Sequence, residues 1–151
     1  VYKMSYIKKS NTIEKVYKNI ETSVSTQLGS SSYVNIEGSS ASYEPHENAQ
    51  YIVYEFIFVS HSNSSVNHNL FLALTYDTGG SETVQEYLGI TDGNNDGHYA
   101  LKAKFLVPTY SGSRNWKLKF RTSQGANWYP RLHEDEDVNV FYPTLLIYSI
   151  T

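Results

Sequence analysis

The chain has 151 residues, of which 40% are hydrophobic and 18% charged, with 14 tyrosines, no cysteine and a formal net charge of −3. This length predicts a single hydrophobic core, and the composition favours strands over helices. The weak negative charge offers no basic surface to nucleic acid, the lack of cysteine excludes disulfides and thiolate ligands, and no apolar run approaches the roughly 20 residues that span a bilayer.

Residues 1–28 are predicted to form an N-terminal arm or neck leading to a head domain at residues 29–151. Between Ile13 and Val24, apolar residues recur at spacings of three and four, which is typical of a short helix or the end of a coiled-coil stalk. The β-branched residues and the Ser/Thr tract at 22–26 favour a strand or extended chain instead, and we prefer this second interpretation.

About eight strands are predicted after this segment, separated by turns rich in Gly, Pro, Asn and Ser. They cover residues 33–36, 41–43, 51–59, 70–76, 84–88, 99–107, 115–121 and 138–150. Short strands at such regular spacing, with no longer repeat, are typical of an antiparallel sandwich rather than a solenoid or propeller.

The strand at 115–121 has the clearest period of two. Its apolar and basic residues alternate, with Trp116, Leu118 and Phe120 on one side and Lys117, Lys119 and Arg121 on the other. This pattern predicts a strand with one buried and one solvated face. The strand at 99–107 alternates in the same manner, and residues 108–113 are predicted to form the turn between the two.

Two other strands, at 51–59 and 70–76, carry apolar residues on both faces, and residues 138–150 have the same character around Pro143. Only one face of a sheet in an antiparallel sandwich meets the core, so a second apolar face requires a partner copy or a covering loop. We therefore predict that these strands meet either another subunit or a covering loop. The residues assigned to an interface with another subunit are Tyr54, Phe56, Phe58, Phe141 and Tyr148. Pro143 is expected at a bulge or a sheet edge because it cannot donate a ladder hydrogen bond.

The loop at 92–97 matches the first half of a calcium-binding loop, in which oxygen ligands alternate along the chain before a glycine. The candidate ligands are Asp92, Asn94 and Asp96. The position that requires a bidentate Glu is occupied by Ala103, and the loop lies between predicted strands rather than helices. A hairpin turn without metal is therefore the preferred interpretation, and a weak calcium site is the alternative.

A second candidate site lies in the loop at 123–137, which contains four consecutive carboxylates. Adjacent carboxylates repel one another and prefer water, which favours a solvated loop. The alternative is a glycan or receptor contact, in which Trp128 and Tyr129 stack on a sugar while Asn127 and Arg131 bind its hydroxyls. Trp128 is equally compatible with a place in the core.

The sequence contains no motif of a known catalytic site. Its five histidines lack the spacing of metal ligands, and it contains neither G-x-S-x-G, H-E-x-x-H nor a phosphate-binding glycine loop. We therefore expect neither an enzyme nor a cofactor. A small glycosidase that draws two acids from separate strands is a third alternative.

Segments near both ends of the chain resemble a known family of head domains. They are Gly29–Ile36, Gly38–Pro45, Tyr51–Phe56, Trp116–Thr122, Asn127–Tyr129 and Pro143–Tyr148. Their order is similar to that in virus-encoded jelly-roll heads of the tumour necrosis factor and complement globular-head superfamily, found in fibre and structural proteins of aquatic viruses and phages. The resemblance implies an antiparallel, TNF-like jelly roll that assembles as a homotrimer, with the N-terminal arm leading to a stalk or capsid.

The resulting hypothesis is a virion structural or fibre head domain, located on the virion surface or otherwise outside the cell. It assembles as a trimer and attaches to a host surface or decorates a capsid. The expected partners are other copies of the chain, the stalk or capsid of the parent protein, and a host glycan or protein receptor. The alternative is a monomeric carbohydrate-binding β-sandwich module or lectin that uses Trp128 and Tyr129.

Overall fold

The computed structural model describes most of the chain. The backbone is described for residues 12–19, 27–28, 31–62, 68–92, 97–122, 131–132 and 143–151, and the side chains for residues 31–60, 69–89, 100–122 and 143–151. These ranges contain eleven strands. They are β1 (Thr12–Asn19), β2 (Gln27–Leu28), β3 (Val34–Asn35), β4 (Ala41–Tyr43), β5 (Tyr51–Ser62), β6 (His68–Asp77), β7 (Glu82–Asp92), β8 (Gly97–Pro108), β9 (Arg114–Thr122), β10 (Arg131–Leu132) and β11 (Thr144–Ile150). None of the described residues forms a helix long and apolar enough to span a membrane.

The strands form two antiparallel sheets. Sheet A has the order β1, β11, β5, β10, β2, and β8 pairs with β5 along its whole length. Sheet B has the order β3, β9, β6, β7, and β4 also pairs with β9. The chain passes repeatedly between the sheets, from β5 in sheet A to β6 and β7 in sheet B, then to β8 in sheet A and β9 in sheet B. The fold is therefore an all-β, antiparallel jelly-roll sandwich.

The alternation predicted for β9 is confirmed by burial. Trp116, Leu118 and Phe120 are buried, while Lys117 and Lys119 are half-buried on the opposite face. β8 behaves in the same way: its buried apolar residues alternate with the exposed Lys102, Lys104 and Leu106. A strict period of two thus predicted which face of each strand meets the core.

The core lies between the sheets and is dominated by aromatic side chains. The largest fully buried ones are Trp116, Tyr54, Phe56, Phe58 and Phe120. The rings of Phe56 and Phe58 stack with their centroids 5.6 Å apart. Burying a side chain of this size contributes about 1.5–3 kcal/mol, so these residues are a main source of stability.

Ser39, in the connection between β3 and β4, joins the two sheets through buried polar groups. Its hydroxyl oxygen lies 2.7 Å from the carbonyl oxygen of Ile36 and accepts a 3.1 Å hydrogen bond from the backbone N–H of Leu118. The carbonyl oxygen of Ser39 accepts a 2.5 Å hydrogen bond from the hydroxyl of Tyr54 in sheet A. Burial raises the pKa of Tyr54 well above its usual value, so this hydroxyl remains a donor at neutral pH.

The structure corrects the boundary drawn between an arm or neck at 1–28 and a head at 29–151. β1 pairs with β11 from Thr12–Ile150 to Asn19–Thr144, and β2 pairs with β10. The sandwich therefore begins no later than Thr12. The preference for a strand over a helix is confirmed for residues 12–19, where the β-branched residues outweigh the helical spacing.

One predicted turn differs from the observed connection. The loop at 92–97, predicted as a hairpin turn, joins β7 in sheet B to β8 in sheet A. The turn predicted between the strands at 99–107 and 115–121 is found at residues 109–113, which lead from β8 to β9. Pro143 immediately precedes β11, which has β1 on one side and β5 on the other. Pro143 therefore lies at the start of an inner strand rather than at a sheet edge.

Candidate functional site

Each sheet has an outer face opposite the core, and we call these face A and face B. Face A consists of Tyr51, Val53, Glu55 and Ile57 from β5, Lys102, Lys104 and Leu106 from β8, and Leu146, Tyr148 and Ile150 from β11. Face B consists of Asn115, Lys117, Lys119 and Arg121 from β9, Phe71, Ala73, Thr75 and Asp77 from β6, and Glu82, Val84, Tyr87 and Gly89 from β7.

One end of face A is apolar. Val53 lies between Leu106 and Tyr148 of the neighbouring strands and is only 3% exposed, because its longer neighbours cover it. Tyr51 and Leu106 remain 43% and 54% exposed. They are diagonal neighbours on adjacent strands, about 7 Å apart. We call Tyr51, Val53, Leu106 and Tyr148 the apolar patch of face A.

The centre of face A is polar. One carboxylate oxygen of Glu55 lies 2.8 Å from the Lys102 ammonium, and the other lies 3.9 Å from the Lys104 ammonium. The Glu55 side chain is 12% exposed, whereas both lysines are more than half exposed. These three residues border the apolar patch along β5 and β8.

Face B carries a ladder of ion pairs across its three strands. The Lys117 ammonium lies 3.0 Å from a carboxylate oxygen of Asp77 and 3.8 Å from one of Glu82. The Lys119 ammonium lies 2.5 Å from the other oxygen of Glu82. Both lysines of this face are therefore already paired with carboxylates of the same face.

Asp77 receives further hydrogen bonds at the turn between β6 and β7. The side-chain amide of Asn115 and the backbone N–H of Gly79 each donate to it at 3.2 Å, and Gly79 has the positive φ of 92° that this turn requires. The Asn115 hydrogen bond, followed by those from Lys117 and Gly79, lowers the pKa of Asp77. An ionised carboxylate of this kind does not act as a general acid at neutral pH.

The other end of face B is aromatic. The Arg121 guanidinium lies 4.3 Å from the ring centroid of Phe71 and 5.3 Å from that of Tyr33, which directly precedes β3. The rings of Tyr33 and Tyr87 are 6.0 Å apart, and Tyr87 is 63% exposed. We call Tyr33, Phe71, Tyr87 and Arg121 the aromatic cluster of face B.

A second arginine is held differently, at the end of the sandwich. The Arg114 guanidinium lies between the rings of Tyr76 and Tyr110, at 4.0 and 3.9 Å. The indole N–H of Trp116 donates to the Tyr110 hydroxyl at 2.7 Å, and this hydroxyl donates to the carbonyl oxygen of Tyr43 at 2.9 Å. Burial raises the pKa of Tyr110 to about 12. This group closes one end of the core.

Two surface clefts lie near these groups. A cleft of about 580 Å³ separates residues 44–47 from residues 109–112. A groove of about 440 Å³ on face B is lined by Ser40, Ala41, Ser42, Asp77, Asn115, Trp116 and Lys117. Over the part of the chain that the structure describes, no three His, Asp or Glu side chains are grouped so that they could hold a metal ion.

The predicted trimer interface is corrected for three of its residues. Tyr54, Phe56 and Phe58 are at most 1% exposed and belong to the core of the single chain, so none of them can contact a partner copy. All three are at even-numbered positions of β5, which is the side of this strand that faces the core. Tyr148 lies on face A, half-buried, next to Val53.

The side chains of the remaining predicted site residues lie outside the described parts of the chain. Asn94, Asp96, Asn127, Trp128, Tyr129 and Phe141 lie outside the described residues. Asp92 and Arg131 are on β7 and β10, where only the backbone is described; Asp92 is opposite His68, and Arg131 is opposite His61 and Leu28. The calcium and sugar sites proposed for these loops stay predictions.

The sequence did not predict how the exposed residues of the two outer faces group together. For face A, the signal was Val53 and Ile57, apolar residues between core positions of β5 in a series interrupted by Glu55. This pattern indicates two apolar faces without telling which is inward. For face B, Arg121 was correctly placed on the solvated side of β9, but its ring partners come from β6 and from the residue before β3. Such cross-strand partners depend on register.

No protein-family model matches this sequence, and no curated protein matches it. Among solved structures, the chain is similar to Eiger TNF from S. frugiperda, with 7% identity and a TM-score of 0.42 over 79% of this chain and 90% of the other. It is also similar to the CBM36-1 domain of a multidomain xylanase from the hindgut metagenome of Trinervitermes trinervoides, with 12% identity and a TM-score of 0.38 over 87% of this chain and 96% of the other.

Proposed function

We propose that the chain is a non-catalytic binding domain that assembles as a trimer through face A. The observation that supports this is the joint exposure of Tyr51 and Leu106 beside the buried Val53. Removing apolar surface from water is favourable by roughly 25 cal/mol per Å², and two large neighbouring side chains provide a site where a second copy gains that energy. The Glu55 and Lys102 ion pair next to the patch supplies the polar rim that interfaces usually have.

Face A is better suited to self-association than face B. The lysines of face B are satisfied by Asp77 and Glu82, and covering these ion pairs with a second protein would remove their water without adding a partner charge. The apolar patch of face A has no such charges to desolvate. An interface centred on this patch therefore carries the smaller energetic cost.

The resemblance of the sequence to virus-encoded heads supports a finer assignment. In it, the trimer is a virion structural or fibre head on the virion surface or otherwise outside the cell, joined to a stalk or capsid of its parent protein. It attaches to a host surface or decorates the capsid. This part of the proposal rests on the segments quoted from the sequence, and it requires the assembly that face A would provide.

Light scattering on the purified protein tests the assembly. The concentrations start at about 1 μM, so that a complex with a dissociation constant of about 1 μM would be detected. We expect a trimer mass for the native chain and a monomer mass for Leu106→Lys. Because Leu106 is exposed, the lysine side chain fits without disturbing the core. Val84→Lys is the matched control, since Val84 is a similarly exposed apolar residue on face B; it should leave the trimer intact.

A monomeric native chain across this range contradicts the proposal, as does a Leu106→Lys variant that remains trimeric. Near-UV circular dichroism of both variants checks that the aromatic core is unchanged. A trimer lost equally in Val84→Lys would place the interface elsewhere than face A.

The second candidate function, a monomeric carbohydrate-binding module, has its own supporting observation. Tyr87 is 63% exposed within the aromatic cluster of face B, and exposed aromatic rings on a sheet are surfaces on which sugar rings stack. The platform first predicted for this function, Trp128 and Tyr129, lies outside the described residues. A monomer that binds glycans through face B would favour this candidate over assembly.

A further inference from the structure

We propose that the aromatic cluster of face B binds a sugar that carries a carboxylate group. The inference deepens the binding role proposed above by naming a ligand class and the residues that take it. It does not depend on assembly through face A. Phe71, Tyr87 and Arg121 are on strands of sheet B, and Tyr33 directly precedes β3 of the same sheet.

The first step is a pair of neighbouring tyrosine rings, one exposed and one half-buried. Tyr33 and Tyr87 lean towards each other with centroids 6.0 Å apart and planes tilted by 46°, and Tyr87 is 63% exposed. A contiguous surface cluster of aromatic rings, unlike a single exposed ring, is typical of a recognition site. The apolar C–H face of a sugar ring is a ligand that such rings can hold while its hydroxyls stay in water.

The second step is an opening next to Phe71. Its neighbour on β9 is Arg121, but its neighbour on β7 is Gly89, which has no side chain. A Cβ atom at Gly89 would lie 3.9 Å from the Phe71 ring, so any larger residue would extend over that side of the ring. With glycine there, Phe71, Gly89 and Tyr87 form a shelf on the surface.

The third step is the charge at the edge of this shelf. Lys117 and Lys119 are held by Asp77 and Glu82, whereas Arg121, as far as the described residues show, contacts only aromatic rings. Rings stack on the flat face of a guanidinium and leave its in-plane N–H groups free to donate. Those N–H groups match the two oxygens of a carboxylate.

The spacing of the two features fits a single sugar unit. Arg121 is opposite Phe71, and Tyr87 is opposite Ala73, two residues further along β6. Arg121 and Tyr87 are on strands on opposite sides of β6, and their side chains meet at Tyr33: the Arg121 guanidinium lies 5.3 Å from the Tyr33 ring centroid, and the Tyr87 ring centroid lies 6.0 Å from it. Both groups are therefore within reach of one ligand placed beside Tyr33. A sugar stacked on Tyr87 can therefore present a carboxylate to Arg121. A neutral sugar gains the stacking but not the charge-assisted hydrogen bonds.

Titration calorimetry with three kinds of oligosaccharide tests the proposal: oligogalacturonides, sialyllactose and lactose as the neutral reference. We expect at least one acidic ligand to bind more tightly than lactose, and which one binds tells whether the carboxylate belongs to a uronic or a sialic acid. Arg121→Gln should weaken the acidic ligand about tenfold, as loss of one charge-assisted pair predicts, and leave lactose unchanged. Tyr87→Ala should weaken every ligand that binds.

Val84→Ala is the matched control, because Val84 lies on the same strand and face as Tyr87 and is also exposed. Its binding should equal that of the native chain. Failure of both acidic sugars to bind overturns the proposal, and so does acidic binding that Arg121→Gln leaves intact. Repeating the titration on Leu106→Lys separates the two proposals, since the monomer should retain binding per chain if face B is the site.

Discussion

On the outer face of each sheet, a small side chain of a central strand lies between larger neighbours, and the two faces differ in the kind of residue that these neighbours are. On face A, Val53 is covered by Leu106 and Tyr148. On face B, Ala73 is buried between Lys119 and Tyr87. An apolar cover leaves an apolar surface, whereas a cover of lysine and tyrosine leaves a surface that water tolerates. The same local arrangement therefore leaves a more apolar surface on face A, where we propose a protein partner, and a more polar one on face B, where we propose a sugar ligand.

Substitutions at an inner and an outer position of the same strand should differ in how much they lower the free energy of unfolding. Phe56 is fully buried in the core, and its neighbour Ile57 is half-buried on face A. We expect Phe56→Ala to lower the free energy of unfolding by about 3–5 kcal/mol and Ile57→Ala by about 1–2 kcal/mol. Urea unfolding at constant protein concentration measures both. Equal losses would mean that β5 does not alternate as described.

Alkaline pH should lower the free energy of unfolding through the buried tyrosines of the core rather than through residues of either outer face. The pKa of Tyr110 is raised to about 12 and that of Tyr54 lies higher, whereas an unfolded tyrosine has a pKa of about 10. Above pH 10 the unfolded chain therefore releases protons that the folded chain keeps. Stability is fully present below pH 10 and falls as the pH rises towards 12. Unfolding midpoints at several pH values, with tyrosinate absorbance, measure this.

The control for the alkaline prediction is Tyr110→Phe. It loses the hydrogen bonds to Trp116 and Tyr43, so its stability at neutral pH should be lower. The fall between pH 10 and 12 should nevertheless be shallower, because one buried hydroxyl no longer has to stay protonated. An unchanged slope would contradict the assignment of that loss to Tyr110.

A smaller effect compares the glutamates that form ion pairs on the two faces. Glu55 on face A is 12% exposed and Glu82 on face B is 31% exposed. We expect Glu55→Gln and Glu82→Gln each to cost about 1 kcal/mol or less, with the larger loss at Glu55 because screening by water is weaker there. Thermal unfolding in low and high salt tests the order. A larger loss at Glu82 would show that the ladder of face B is the stronger network.

The smallest expected effect concerns acid stability on face B. Hydrogen bonds from Asn115, Lys117 and Gly79 lower the pKa of Asp77, so its contribution is present above the unfolded pKa of about 3.9 and is lost as the pH falls through the folded value. Asp77→Asn should remove that part of the acid sensitivity. Unfolding midpoints from pH 5 to 2 check this, and an unaltered profile would contradict it.

Features of the fold that depend on a local sequence pattern were predicted, whereas features that depend on contacts between distant strands were not. The alternation of Trp116 with Lys117 identified β9 and its buried face, because a strand of period two needs no knowledge of its neighbours. Phe56 was misassigned to an interface because β5 is apolar on both sides, and only the packing of the other sheet decides which side is inward. The contact of Arg121 with Phe71 depends on the register between distant strands, which no local pattern contains.

The position of β11 has a consequence for how the molecule is made. This strand lies between β1 and β5 and provides the hydrogen-bonded neighbour of β1. During synthesis, more than a hundred residues must follow β1 before its partner β11 leaves the ribosome. Sheet A can therefore close only after β11 has been synthesised, and until then the edge of β5 is open to pairing with strands of other nascent chains.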